Sequence, residues 1–276
     1  MVSFPGLGLT FSVNKIAFSI AGINIYNYAI CIVCGIILAI LLCAKNKRMY
    51  GVEFKFVFES MMYALLIGLI GARMYYVAFN FKQYIISPIR ILNLRDGGLA
   101  IYGGLIFGAV AIIFRCKNNN VSVLDFFDYF VPFVALAQSI GRWGNFFNVE
   151  AYGTETDNIL RMGISTPFGY QEVHPAFLYE SICTMSIFMI LRLMQKHRKY
   201  KGQISYSYLC LYSGIRMIIE SVRTDSLMLN NFRISQILSL AIFVVSSCLL
   251  LKNYIIYILN GFQGRNCGKK SIKNWV

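Results

Sequence analysis

The sequence predicts an all-α, polytopic membrane protein of about seven transmembrane helices, forming a single integral-membrane domain over residues 1–276. Two observations lead to this fold class. Hydrophobic residues make up 57% of the 276 residues and charged residues only 14%, whereas an ordinary soluble domain is about 25% charged. Apolar stretches long enough to cross a bilayer, about 17–25 residues, also recur along the chain. A soluble protein of this composition would lack the charge to cover its surface.

Seven such stretches set the predicted helices in order. They cover residues 26–44, 56–79, 98–114, 126–140, 177–194, 204–220 and 234–251. The fourth differs from the others, because Asp125 and Asp128 stand at its start and Arg142 interrupts its end. Between the fourth and fifth stretches lies a long polar segment, residues 145–176, which we predict to be an outer loop.

The distribution of Lys and Arg orients these helices. The chain has 26 basic residues against 12 acidic ones, a formal net charge of +14. If the N-terminus is outside, the predicted inner segments hold twice as many Lys and Arg as the outer ones. The positive-inside rule therefore predicts an outer N-terminus and a cytoplasmic C-terminus. An anionic inner leaflet explains the excess charge, so we expect no nucleic-acid partner.

Eight cysteines predict neither a disulfide framework nor a metal centre. Most lie within the predicted helices, where Cys behaves as a small apolar residue. The one suggestive spacing is Cys31-x-x-Cys34, which is a weak signal for a metal or redox site on its own. No other Cys, His and Asp positions have metal-ligand spacing, so we expect no metal and no other cofactor.

A few charged residues lie inside the predicted helices. Each requires an explanation, because a charge near mid-bilayer costs about 2.5–3.5 kcal/mol on insertion scales. Arg73 lies near the outer end of the second helix, and Tyr212, Arg216 and Glu220 share one face of the sixth, being four residues apart. Two interpretations stay open: a buried ion pair that fixes helix register, or an anion-binding face that opens outward.

The segment 141–153, GRWGNFFNVEAYG, is the richest in residues suited to an anion. Arg142 offers a planar fork that matches phosphate, and Asn145 and Asn148 supply donors and acceptors. The glycines let the backbone approach a ligand closely. The alternative is an ordinary interfacial helix end, with Trp143 in the aromatic belt.

Glycines also crowd the start of the third predicted helix, in GGLAIYGGLIFG from residue 97. The spacing Gly104-x-x-x-Gly108 permits close packing against another helix. Tyr102 then lies where backbones come together, with a hydroxyl that needs a partner. It is either a site residue or an interfacial anchor.

Four separated patterns resemble those of the bacterial prolipoprotein diacylglyceryl transferases. The most specific is G-R-x-G-N-F-x-N-x-E-x-x-G from residue 141. The other three are G-A-R-x-x-Y from residue 71, H-P-x-x-L-Y-E from residue 174, and Y-x-x-x-R-x-x-x-E-x-x-R-x-D from Tyr212 to Asp225. Together these patterns extend over most of the chain.

The resemblance implies a transfer reaction at the outer leaflet of the bacterial cell membrane. Such enzymes move the diacylglyceryl group of phosphatidylglycerol onto the lipobox cysteine of preprolipoproteins and release glycerol phosphate. It therefore implies phosphatidylglycerol, lipobox-containing preprolipoproteins and membrane lipid as partners. The site residues that it carries over are Tyr28, Tyr102, Arg142, Asn145, Glu150, Gly153, Tyr212, Arg216 and Glu220.

The chemistry of that reaction suggests roles for these residues. A thiolate attacks a glyceryl carbon, and the phosphodiester becomes a monoester that gains negative charge, which arginines stabilise. We hypothesise that Arg142 binds the substrate phosphate and Arg216 the leaving phosphate, with Glu220 orienting Arg216. Asn145 and Tyr212 would complete the head-group contacts. The other residues predicted to bind phosphatidylglycerol are Tyr28, Arg73, Glu150 and Gly153.

Tyr102 departs from the pattern of the family, because many members carry His at this position and the His is often assigned as the base. A free tyrosine has a pKa of about 10, above the value of about 8.5 for a cysteine thiol, and is a poor base at neutral pH. Either Tyr102 only hydrogen-bonds the lipid, or the base lies elsewhere. His174, in the predicted outer loop, is the candidate substitute.

Two other functions stay open. One is a seven-span transporter or receptor with an outward anion site, although such transporters usually show repeats and broken helices, which the sequence lacks. The other is a non-catalytic, lipid-binding relative of the family, which the replacement of His by Tyr102 makes worth testing.

Overall fold

A computed structural model of the chain describes residues 1–20, 22–93, 97–166, 169–224, 228–229 and 232–272. Asp225, the last residue of the fourth family-like pattern, lies outside the described residues. The described chain is mostly helical. Its helices are α1 (Asn27–Ala44), α2 (Phe54–Phe79), α3 (Phe81–Ile86), α4 (Ile101–Asn118), α5 (Val123–Gly141), α6 (Trp143–Asn148), α7 (Ala176–Lys196), α8 (Gln203–Val222) and α9 (Ile234–Ile272).

Each of the seven predicted stretches coincides with a helix: α1, α2, α4, α5, α7, α8 and α9 in order. Four boundaries differ by more than two residues: the start and the end of the third stretch, the start of the fourth and the end of the seventh. The predicted start of the third stretch at residue 98 is wrong, because Gly97 and Gly98 have φ of 75° and 74° and α4 begins at Ile101. The last helix continues past residue 251 to Ile272.

Six helices in the described part of the chain are long and apolar enough to cross a membrane, and the protein is a multi-pass membrane protein. They are α1, α2, α4, α5 continued by α6, α7 and α9. The remaining predicted span, α8, is the sixth in order and 20 residues long, but it is not among them. Arg216 and Glu220, together with several serines, lower its hydropathy, so the count of seven stays a prediction.

Short strands join segments that are far apart in the sequence. They are β1 (Val2–Phe4), β2 (Leu9–Phe11), β3 (Ile16–Ile20), β4 (Ile23–Tyr26), β5 (Arg48–Met49), β6 (Val52–Glu53), β7 (Met162–Thr166), β8 (Gly169–Val173), β9 (Met228–Leu229) and β10 (Phe232–Arg233). The first, second, seventh and eighth form one antiparallel sheet in the order β2-β1-β7-β8, and the others pair as hairpins. The predicted outer loop, residues 145–176, thus contains the end of α6 and the hairpin β7–β8.

A small apolar core fixes this sheet to the helices near the segment 141–153. Alternate residues of β1, Val2 and Phe4, are buried against β7 and β8. The ring of Phe146 in α6 packs on that of Phe177 at the start of α7, with centroids 5.2 Å apart. Because α6 is held between the sheet and α7, the residues on either side of it have a fixed place.

By their contacts the residues group into two compact units, residues 1–42 with 131–276 and residues 43–130. The second unit is built on α2 and α4, which pack through glycine. A Cβ added to Gly103 would lie 2.4 Å from Cβ of Tyr75, and one added to Gly71 would lie 2.2 Å from Cγ of Phe107. Gly104 and Gly108, which the sequence predicts to permit close packing, do face the α2 backbone, but a Cβ on either would make only an ordinary contact, at 3.5 Å and 3.4 Å. The close approach depends instead on Gly103 and Gly71.

We expect Gly103→Ala to destabilise the protein and the neighbouring Gly104→Ala to leave it intact. At residue 103 the methyl group meets the backbone of α2, with the Gly71 carbonyl at 2.5 Å, and overpacking of this kind costs about 1–3 kcal/mol. At residue 104 its nearest neighbour is 3.5 Å away, an ordinary contact, and alanine adds up to about 1 kcal/mol of helix propensity. Thermal unfolding in detergent measures both. Equal midpoints for the two variants would contradict the packing described here.

Candidate active site

One buried carboxylate, that of Glu180 in α7, gathers three arginines of the first unit. Its Oε2 contacts Nε of Arg142, and its Oε1 contacts Nη1 of Arg216 and, at 3.4 Å, Nη1 of Arg223. The carboxylate side chain is only 5% exposed, so its charge has to be balanced by partners rather than by water. The contacts join α7 to the α5–α6 junction and to the end of α8.

Arg216 also pairs with Glu220, one turn further along α8. Its Nη2 lies 2.5 Å from Oε2 of Glu220, which is buried, and Arg233 donates a hydrogen bond to the carbonyl of Glu220. The predicted common face of these residues is confirmed for this pair. Tyr212, one turn before Arg216, stacks on Tyr208 with ring centroids 5.6 Å apart and planes inclined by 12°.

The cluster leaves part of Arg142 open for a ligand. With Arg233, which contacts the Glu220 carbonyl, its four arginines and two glutamates give a net charge of +2. The Arg142 side chain is 26% exposed. Its backbone is fixed at the helix junction, where its N–H bonds to the carbonyl of Gln138. Nε is held by Glu180, whereas no residue in the described ranges pairs with Nη1 or Nη2. Two adjacent N–H donors on a fixed guanidinium suit two oxygens of a phosphate.

Arg73, in α2 of the second unit, has no such open donors. Its side chain is buried and all three of its nitrogens donate to backbone oxygens at 2.6–3.0 Å. The acceptors are the carbonyls of Arg90, Ile91, Asn93, Gly97 and Gly98. These five hydrogen bonds fix the segment that precedes α4. They leave no N–H of Arg73 for a lipid phosphate.

The segment after Arg142 places two amides on one carboxylate. Nδ2 of Asn145 and of Asn148 lie 3.0 Å and 3.2 Å from Oε1 of Glu150, which is exposed. The flanking residues Val149 and Ala151 have φ of 53° and 55°. The left-handed region is rare for a β-branched residue such as valine. Strained backbone of this kind is found most often at binding and catalytic sites.

Two glycines of the segment 141–153 allow close approach. A Cβ on Gly144 would lie 2.6 Å from Cδ2 of Tyr28, so the tyrosine ring rests directly on the backbone of α6. A Cβ on Gly153 would lie 2.8 Å from the carbonyl oxygen of Val222 and 2.7 Å from Cβ of His174. Tyr28 and Gly153 thus both pack against this region, and Gly153 connects the loop to the end of α8.

His174 belongs to the same packed loop. Its backbone N–H bonds to the carbonyl of Thr154, and its carbonyl accepts a hydrogen bond from the Gly153 N–H at 2.9 Å. The ring Nδ1 lies 3.2 Å from the hydroxyl of Tyr179, the residue before Glu180. Among the described residues the ring contacts none of the three arginines.

Tyr102 lies in the first turn of α4, in the second unit. Its side chain is 41% exposed, and its hydroxyl bonds to no other residue that the structure describes. Among the residues that the structure describes, no group of three or more His, Cys, Asp or Glu side chains is placed to hold a metal ion.

Comparison with known proteins decides the family. Residues 15–252 match the family model for prolipoprotein diacylglyceryl transferase. The chain is 40% identical over 240 residues to a phosphatidylglycerol–prolipoprotein diacylglyceryl transferase of Finegoldia magna, covering 87% of this chain and 95% of the relative. The chain belongs to the prolipoprotein diacylglyceryl transferase family.

Two further members of this family give similar values. The relative of the same name from Clostridioides difficile is 42% identical over 231 residues, 82% of this chain and 90% of the relative. That from Enterococcus faecalis is 41% identical over 250 residues, 87% of this chain and 90% of the relative. The resemblance seen in the four sequence patterns is therefore confirmed over most of the chain.

In this member of the diacylglyceryl transferase family, Glu180 is at the centre of the cluster. No role for this residue was predicted from the sequence. It ends the H-P-x-x-L-Y-E pattern and lies inside a predicted span. A carboxylate in a membrane helix needs cationic partners. Arg142 and Arg216 were both predicted near the outer ends of spans, and this shared depth is the signal that could have identified Glu180 as their partner.

We expect Glu180→Gln to unfold at a clearly lower temperature than the wild type. The amide keeps the size of the side chain but leaves three arginines without their shared negative charge, and breaking a buried pair costs about 3–5 kcal/mol. The matched control is Glu172→Gln, which breaks a partly exposed pair with Arg161 worth about 0–1 kcal/mol. Thermal unfolding in detergent compares the two. A Glu180 variant as stable as the control would refute the central place of this carboxylate.

Proposed function

We propose that this protein transfers the diacylglyceryl group of phosphatidylglycerol to the lipobox cysteine thiol of preprolipoproteins. The reaction forms a thioether, releases glycerol phosphate and is the first step of lipoprotein maturation. The family and the names of the relatives support this transferase activity. The geometry of Arg142 supports the site most directly. Its guanidinium is held through one nitrogen, its other two nitrogens are open, and the surrounding cluster has a net positive charge.

In the proposed reaction the thiolate sulfur forms a bond to the glyceryl carbon. The bond between that carbon and the phosphate oxygen breaks, and its electron pair stays on the oxygen of the departing glycerol phosphate. The phosphate thereby gains negative charge, which fixed cationic donors stabilise best where water is largely excluded. We assign Arg142 to the substrate phosphate and Arg216 to the leaving phosphate, and Glu220 positions Arg216.

The other predicted site residues belong to both units, and we assign them different roles. We assign Asn145, Glu150 and Tyr212 to the surroundings of the head group, with Tyr28 and Gly153 shaping that region through close packing. Arg73 we assign instead to holding the loop before α4, because its donors are engaged by carbonyls. Tyr102 is proposed to hydrogen-bond the lipid.

We propose seven spans, with α8 as the sixth in order, an outer N-terminus and a cytoplasmic C-terminus. The bias of Lys and Arg supports this orientation. The charged face of α8 is turned toward α7, where Arg216 meets Glu180, and polar residues that face protein rather than lipid are tolerated in spans. The site then faces the outer leaflet of the bacterial cell membrane. That the whole chain acts as one integral-membrane domain also stays a prediction.

Arg142→Ala should abolish turnover, because the variant loses the open donors proposed to bind the phosphate. The measurement is release of glycerol phosphate from phosphatidylglycerol and a lipobox peptide by purified protein in detergent. Arg161→Ala, which removes an arginine of the outer segment from its surface pair with Glu172, is the control and should retain activity. Wild-type rates in Arg142→Ala would overturn the site assignment. No release by the wild type would overturn the proposed reaction.

Tyr102→Phe and His174→Ala should differ in the size of their effect on kcat/KM. We propose His174 as the base, and loss of a general base lowers the rate by about 10²–10⁴-fold. Loss of the Tyr102 hydroxyl should lower kcat/KM by about tenfold, as expected for a neutral hydrogen bond. A loss in His174→Ala no larger than the loss in Tyr102→Phe would exclude His174 as the base.

A further inference from the structure

A hydrogen bond between two residues outside the arginine cluster joins α5 to α8. The hydroxyl of Tyr208 donates to Oε1 of Gln138 at 2.8 Å. Both residues belong to the first unit, and Gln138 is the one amide side chain of α5. Because unpaired polar groups on an apolar helix are costly, each of the two residues supplies the partner that the other needs. The pair thus connects the two helices at one defined level.

This level is one helical turn before the arginine cluster on α5. The carbonyl of Gln138 accepts the backbone N–H of Arg142 at 3.0 Å, and the two side chains share one face. On α8, Tyr208 precedes Arg216 by eight residues, which is two turns along one face. Glu180 joins Arg142 to Arg216. The helices are therefore connected twice, and between the connections α8 advances about 12 Å whereas α5 advances about 6 Å.

Tyr212 occupies the extra turn of α8. It follows Tyr208 by four residues and precedes Arg216 by four, so it lies on the face that makes both connections. Its ring stacks on that of Tyr208, with centroids 5.6 Å apart and planes inclined by 12°. Its hydroxyl bonds to no other residue within the described ranges. The direction of this open hydroxyl thus depends on the ring of Tyr208, which Gln138 anchors at its far end.

We propose that Gln138 and Tyr208 are positioning residues, which hold the ring of Tyr212 so that its hydroxyl meets the head group of the bound phospholipid. The inference rests on the proposed function, in which Arg142 binds the phosphate of that lipid and Tyr212 lies beside its head group. Neither Gln138 nor Tyr208 contacts the lipid, and both act through Tyr212. A hydroxyl that is fixed before the lipid arrives loses less freedom on binding, and this preorganisation is what the pair contributes.

A double-mutant cycle tests whether the pair acts through Tyr212. Tyr208→Phe keeps the stacked ring but removes its anchor, and Tyr212→Phe removes the hydroxyl that the ring directs. Release of glycerol phosphate gives kcat/KM for dioctanoyl-phosphatidylglycerol in detergent. Each single variant should lower kcat/KM about three- to tenfold, the range of one neutral hydrogen bond, and the double variant should be no worse than Tyr212→Phe. Independent effects would instead multiply.

A second double variant separates positioning from stability. Tyr208→Phe alone leaves Oε1 of Gln138 without its partner and should lower the thermal midpoint of unfolding in detergent. Adding Gln138→Leu replaces both partners by apolar groups, which is nearly neutral for stability, so the midpoint should return toward the wild-type value. The value of kcat/KM should stay about three- to tenfold below that of the wild type, because the ring at residue 208 still lacks its anchor.

Tyr200→Phe is the matched control. The Tyr200 hydroxyl donates to the carbonyl of Leu250 at 3.3 Å, so this variant also loses a hydrogen bond between segments of the first unit. Tyr200 precedes the first residue of α8, Gln203, and lies at the end of that helix away from the arginine cluster. The control should keep the kcat/KM of the wild type.

Three results would overturn the proposal. The first is a wild-type kcat/KM in Tyr208→Phe. The second is a cycle in which the losses of Tyr208→Phe and Tyr212→Phe multiply. The third is recovery of kcat/KM together with the thermal midpoint when Gln138→Leu is added, since the pair would then serve packing alone.

A binding measurement separates failure of the pair from failure of the reaction. The sequence has two tryptophans, so Trp275→Phe leaves Trp143, which follows Arg142, as the one fluorescent reporter of its kind. Titration with dioctanoyl-phosphatidylglycerol gives Kd for each variant of the cycle. A non-additive cycle in Kd, in a protein without turnover, would support the positioning pair and refute the proposed reaction. A wild type that neither binds this lipid nor turns it over would overturn both.

Discussion

The arrangement of the first unit depends on the need to neutralise one buried carboxylate. Glu180 lies on an apolar helix, and an unpaired charge there would be costly. Its partners come from two other places in the chain, the α5–α6 junction with Arg142 and the outer half of α8 with Arg216. Meeting this single electrostatic requirement therefore fixes three segments relative to one another. It also leaves the Arg142 side chain partly exposed at the edge of the cluster.

Arginines that look alike in sequence differ in how many of their guanidinium nitrogens already have a partner within the protein. Arg73 and Arg142 both lie near the outer ends of predicted spans and both belong to family-like patterns. The guanidinium of Arg73 is saturated by carbonyls, two of them from glycines whose positive φ turns them inward. That of Arg142 is held by one nitrogen only. The first is suited to stabilising a loop and the second to binding a ligand, although both are arginines predicted near the outer end of a span.

Sequence predicted best the features that depend on local spacing. Helical periodicity alone placed Arg216 and Glu220 on one face, and apolar runs located the seven long helices. Contacts between distant segments were not predictable in this way, because nothing in the residues near Arg216 specifies Glu180, which lies 36 residues away. The same holds for β1, whose pairing with the nearby β2 is local but whose pairing with β7 joins segments far apart in the chain. Short strands carry too little pattern to be identified alone.

The charge balance of the cluster bears on the proposed reaction. Four arginines, counting Arg233 on the Glu220 carbonyl, and two glutamates leave a net charge of +2. Under the proposed site assignment, the phosphodiester of the substrate neutralises one of these charges. The phosphate monoester that forms when the carbon–oxygen bond breaks approaches two negative charges and neutralises both. Because charges in a partly buried site are poorly screened by solvent, the proposed cluster favours the charge that develops during the reaction over that of the substrate.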